Sequence, residues 1–114
     1  MAGAEDVHGD GVVEDGYQAG GGWVVTARGE LDQDTLGPLE QALTTAADRY
    51  RVVVLDAGGI TFGDSSFLNL LLRVHRTTAL RIAAPGQQLR RLFALTGADT
   101  ILSLHPGVEE ALGG

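Results

Sequence analysis

An α/β domain on a mixed, mostly parallel β-sheet of four to five strands, with about four helices, is what this sequence predicts. Three observations lead there. The run "RVVVLD", residues 51–56, is continuously apolar between charged ends, the pattern of a central parallel strand buried on both faces. Strand-like and helix-like stretches alternate along the chain in the order β-β-α-β-α-β-α-β-α, which calls for an open sheet with right-handed crossovers. At 114 residues the chain suits one domain with a core of its own, and two folding units would each be marginal.

The elements follow in order. Residues 1–22 hold seven of the 17 glycines, and residues 1–11 are expected to be a flexible acidic, glycine-rich tail preceding a domain over 12–114. A short strand around Val12 to Tyr17 turns at "QAGGG" into "WVVTAR", where Trp23, Val25 and Ala27 alternate with Val24, Thr26 and Arg28, a β-hairpin pattern. From Leu36 the apolar residues recur at 36, 39, 43, 46, 47 and 50, a helical stripe, with Pro38 tolerated in the first turn. Asp32, Asp34 or Thr35 is a candidate cap for that helix, and Gly37 a second boundary. The strand "RVVVLD" is expected to end near Asp56 and to be followed by a loop. "LRIAA" at 80–84 is another short strand, and "QQLRRLFALTG" carries Leu89, Leu92, Phe93 and Thr96 at helical spacing with Gly97 as its stop. "TILSLH" reads as a weaker last strand and "PGVEEALGG" as a short final helix.

Composition removes several classes of function. The net charge of −7 includes five acids (Glu5, Asp6, Asp10, Glu14 and Asp15) in the first 22 residues, which carry no base, so the rest stands at −2. An acidic domain without a basic patch is a poor nucleic-acid binder, and no direct DNA or RNA contact is expected. There is no cysteine, so neither a disulfide nor a thiolate metal site is available. All eight basic residues are arginine, which excludes Schiff-base chemistry and a P-loop lysine. No run approaches the roughly 20 apolar residues of a membrane span, and "MAGAEDVHGDG" lacks a secretory pattern, so a cytoplasmic protein without membrane insertion is expected. His8, His75 and His105 lie far apart in sequence, which argues against a triad and a metal site alike; no cofactor is expected.

The stretch "TFGDSSFLNLLL", residues 61–72, holds the most chemistry. Asp or Ser before an apolar helical run is what a helix start requires, because their oxygens accept first-turn N–H groups. "FGDS" also resembles the nucleophile block of the Gly-Asp-Ser hydrolases, but their aspartate three residues before the histidine is replaced by Leu72 before His75 and Leu102 before His105. A third reading makes Ser65 or Ser66 a phosphate acceptor: a phosphate there meets free N–H groups and the positive end of the helix dipole. About −1.5 to −2 of added charge beside Asp64 would repel a partner docked on the unmodified surface.

Three blocks, "RGELDQDTLGPLEQAL", "VVVLDAGGITFGDSSFLNLLL" and "LRIAAPGQQLRRLFALTGAD", together resemble a STAS domain of the anti-sigma factor antagonist type, from about Trp23 to Leu112. The resemblance implies partner switching. Members bind an anti-sigma factor that is also a serine kinase and so free a sigma factor; the kinase phosphorylates the serine after the motif aspartate, and a phosphatase resets it. Here that serine is Ser65, and Asp64, Ser66, Asp32 and Thr35 match positions on the same docking surface. Such a protein is a non-enzymatic regulator, expected as a monomer or weak dimer.

Two departures from the family pattern stand out. Phe67 occupies a position that is commonly glycine, as an apolar anchor for a partner or as a core residue, the commoner fate of a large apolar side chain on such a helix. The connection "RVHRTTALRI" is several residues shorter than usual, which implies a shortened helix after Ser65. Both motivate an alternative, a non-switching STAS interaction subunit of a transporter or stress-signalling assembly in which Ser65 only caps. Elsewhere, Trp23 reads as a partly covered core edge and Arg90 and Arg91 as a solvated face. Leu70, Leu71 and Leu72 exceed one helical stripe, which predicts an exposed apolar patch.

Overall fold

A computed structural model describes residues 12–113, so the expected tail over 1–11 lies outside the described residues. The elements come in the predicted order: β1 (Val12–Ala19), β2 (Gly22–Leu31), α1 (Gly37–Arg49), β3 (Val52–Gly63), α2 (Ser65–His75), β4 (Ala79–Ala83), α3 (Gln87–Thr96), β5 (Ser103–His105) and α4 (Val108–Gly113). A 3-10 turn at Ala98–Thr100 separates α3 from β5. The hairpin turns on Gly20 and Gly21, both at positive φ (55° and 84°), the backbone that a two-residue turn between twisted strands requires.

The five described strands form one sheet in sequence order, β1-β2-β3-β4-β5. β1 and β2 are antiparallel, and β2, β3, β4 and β5 run parallel. Crossovers of one hand between parallel strands taken in sequence order must put all their helices on one face. The packing agrees: Leu39 and Leu43 of α1, Leu70 and Leu71 of α2, and Leu89 and Phe93 of α3 share one core with Val25, Val53, Leu55 and Ile82 of the sheet. Among the described residues the opposite face is covered by α4, where Ala111 packs with Val24, Val54 and Ala83. Arg81 fastens it by donating from Nη1 to Ala111 O at 2.6 Å. The "RVVVLD" strand is therefore buried on both faces, with Val53 and Leu55 in one cluster and Val54 in the other.

Three expectations are corrected. β3 does not end near Asp56 but runs to Gly63, because β2 is long enough to keep pairing with it past Gly58 and Gly59. Two register irregularities, between Thr26 and Arg28 and between Gly29 and Glu30, absorb the extra residues. The cap position of α1 is Leu36, with no side-chain hydrogen bond, so Asp32, Asp34 and Thr35 do not cap that helix. The leucine run of α2 leaves no exposed patch: Leu70 and Leu71 are fully buried and Leu72 packs partly against the core. α2 packs against α1 as well as against β3 and β4, so its buried arc is wider than a single stripe.

Candidate functional site

The register between β2 and β3 builds the site. Leu31 pairs with Gly63, so both parallel strands end side by side and deliver the loop at 32–36 and the start of α2 to one end of the sheet. Asp64 extends the ladder by one step, its N–H donating to Leu31 O at 3.3 Å. Its carboxylate then acts in two directions. Oδ1 accepts from Phe67 N at 3.0 Å, the helix cap, and Oδ2 accepts from Gln33 N at 3.2 Å, across to the neighbouring loop. The cap is thus the aspartate, and neither serine is needed for it.

That leaves the hydroxyls free. Ser65 is exposed in the first position of α2 and Ser66 is half-buried, and neither side chain has a hydrogen bond among the described residues. Phe67, one residue on, has no accessible surface. Its ring lies where a side chain on Gly63 would go, 2.9 Å from a Cβ built there to Phe67 Cε2, so the glycine ending β3 makes room for the aromatic ring. Phe67 is therefore a core residue and not the partner contact expected of it, since a fully enclosed side chain presents nothing to dock on.

The loop facing Ser65 is held by its own side chains. Asp32 Oδ1 accepts from Asp34 N (2.9 Å) and Thr35 N (3.1 Å). The Thr35 hydroxyl donates to Glu30 O and accepts from Asp32 N, both at 2.9 Å. Asp32 and Thr35 build the turn that offers Gln33 and Asp34 to solvent, and Gln33 joins that turn to Asp64, the residue before Ser65. Two contributors were missed in the sequence reading. Gln33 reaches Asp64 through its backbone, which no residue type announces. Gln88, from the first turn of α3, accepts from Gly63 N through Oε1 at 3.3 Å and ties a third element to the site. Phe62, 41% exposed, adds an apolar spot just before it.

The surroundings are acidic. Glu30, Asp32, Asp34 and Asp64 gather here, and neither ion pair found among the described residues, Arg28–Glu14 or Arg73–Glu40, includes any of them. Neither histidine among the described residues is placed to serve Ser65 as a base. His75 lies at the far end of α2, ten residues on, or about 15 Å at the helical rise. His105 is on β5, two strands from β3, with its Nε2 held by Ser103 Oγ at 2.7 Å. Among the described residues no cluster of three His, Asp or Glu forms a metal site, and no helix is long and apolar enough to cross a membrane.

The site is thus an exposed serine at the start of α2 beside a braced acidic loop, at one end of a small α/β domain. The family model described as "Mlab, STAS domain" matches residues 17–104, and the chain belongs to the STAS-domain family. An anti-sigma factor antagonist from Mycobacterium paratuberculosis superimposes with a TM-score of 0.83 at 28% identity, covering 94% of this chain and 95% of that one. SpoIIAA, an anti-sigma factor antagonist solved in its unphosphorylated form, matches at TM-score 0.72 and 20% identity over 90% of this chain and 92% of its own. The phosphorylated form of SpoIIAA, a Bacillus cell fate determinant, matches at TM-score 0.66 and 20% identity, over 90% and 96%. No curated protein matches the chain.

Proposed function

We propose that this protein is an anti-sigma factor antagonist whose unphosphorylated form binds an anti-sigma factor serine kinase and frees a sigma factor, and that phosphate on Ser65 ends the binding until a phosphatase removes it. The observation that carries this reading is the separation of duties at the start of α2. Asp64 caps the helix and Phe67 anchors it, so Ser65 is exposed without a structural task.

A phosphate on Ser65 would sit beside Asp64, which is bonded to the loop that carries Asp32 and Asp34. The first-turn N–H groups and the helix dipole favour it there. Repulsion acts outward, on a partner that fitted the unmodified surface, and the fold stays intact because the anchors lie below the surface. The alternative of a non-switching subunit draws on Phe67 as an extra partner anchor and on the short connection after α2; burial of Phe67 removes the first support and leaves the second.

The test is intact-mass analysis and site mapping of the protein from its native cells, with a pull-down from the same lysate. Phosphate is expected on Ser65, with a serine kinase in the pull-down of unmodified protein only. Ser65→Ala should bind the kinase and resist release by ATP, and Ser65→Asp should bind poorly. Stoichiometric phosphate elsewhere, or a stable ATP-indifferent complex with a membrane or scaffold subunit, would sink the proposal.

A further inference from the structure

We infer that the groove between α1 and the β1–β2 hairpin is a binding site for a planar aromatic carboxylate, a role separate from Ser65. The groove encloses about 450 Å³, within the range of small-molecule sites. Its floor is the single tryptophan of the chain, Trp23, stacked on Tyr50 with ring centroids 5.1 Å apart and planes 21° from parallel. Gly16 lets the indole lie against β1, since a Cβ there would come within 2.6 Å of Trp23 Cε2. The opposite wall is one face of α1, where Gln41, Ala42, Thr45 and Arg49 recur at helical spacing; the small side chains at 42 and 45 leave the cleft open.

Charge selects the ligand class. The groove's acid, Glu14, is paired with Arg28 at 3.0 Å, whereas Arg49 is exposed and belongs to no ion pair among the described residues. An aromatic surface beside a guanidinium that has no ion pair among the described residues suits a flat ring system, which stacks, carrying a carboxylate, which a guanidinium grips with two hydrogen bonds. Trp23 is thus more than a core edge: one side of it packs inward and the groove opens on the rest.

The full-length chain, titrated with 2-naphthoate and followed by ¹⁵N–¹H spectra, tests this. Saturable shifts are expected at the Trp23 side-chain N–H and the amides of Ala42, Thr45 and Arg49, with a dissociation constant at or below about 1 mM. The neutral analogue 2-naphthalenemethanol should bind about fivefold more weakly, as one exposed ion pair allows. Arg49→Gln should erase that difference, and Ala42→Phe or, from the more exposed rim, Thr45→Phe should abolish binding of both. Absence of saturation, shifts centred elsewhere, or equal affinity for acid and alcohol overturns the inference. Shifts that follow protein concentration rather than naphthoate give the groove to a second copy of the chain and overturn it equally.

Discussion

α2 and α3 start at the same end of the sheet, each directly after a parallel strand, yet their first turns are built in opposite ways. α2 has a capping carboxylate, two serines without structural tasks and acidic neighbours. α3 starts from Gly86 with no side-chain cap, follows with Gln87 and Gln88, and exposes Arg90 and Arg91. Both are pinned by a buried residue in the first turn, Phe67 or Leu89, and Gln88 of α3 accepts from Gly63 N at the end of β3, just before α2. The parallel fold supplies a helix start at every crossover, so topology alone does not choose a phosphate acceptor. Side chains make that choice: α3 offers no hydroxyl in its first turn, and its one hydroxyl, Thr96, is bonded to Leu92 O at 2.8 Å.

The largest effect expected from this contrast is on anchoring. Phe67→Ala removes a fully enclosed ring and should cost about 3–5 kcal/mol in a denaturant titration. A loss under about 1 kcal/mol would mean that the site can collapse around the gap, and the junction would then not be rigidly anchored. Asp64→Ala comes next. It deletes the cap and the link to Gln33, for an expected loss of about 1–2 kcal/mol, with faster amide exchange at Gln33 and Phe67. Asp64→Asn keeps an acceptor for each N–H only if its amide flips between them, so it should protect one of the two amides and not the other.

How much of this was legible in the sequence depended on whether a residue's task is local. Alternation in "WVVTAR", the helical stripe from Leu36 and the stop at Gly97 are local patterns, and all three elements were placed. A cap at 64–66 was legible for the same reason, since the bonded N–H is three residues away, but the sequence left open whether Asp64 or a serine supplies it. The extension of β3 through Ala57–Gly63 was not, because glycines and a broken period hide a strand whose pairing is dictated by β2. Nor was the second bond of Asp64, since Gln33 lies 31 residues away and takes part through a backbone N–H. Phe67 read two ways for a related reason: only the packing of α2 against β3 shows that Gly63 has left a space for its ring.

The smallest effect completes the contrast by giving α3 the start that α2 has. Gly86 is extended (φ −74°, ψ −179°), a backbone any residue adopts, and a Cβ there meets nothing within 4 Å. Gly86→Asp should therefore be accommodated without strain. Its carboxylate should cap the first-turn amides and face the positive end of the helix, with Arg90 one turn on. The cap over glycine is worth a few tenths of a kcal/mol and the dipole about as much again, for a gain of about 0.5–1 kcal/mol and a rise of roughly 2–6 °C in Tm. No phosphate should appear on α3, because Gln87 stands where α2 has Ser65. If Tm does not rise, the α3 amides are satisfied in solution by some other group. The two helix starts would then differ in the hydroxyl alone, and the role assigned to the Asp64 cap would shrink to its bond with Gln33.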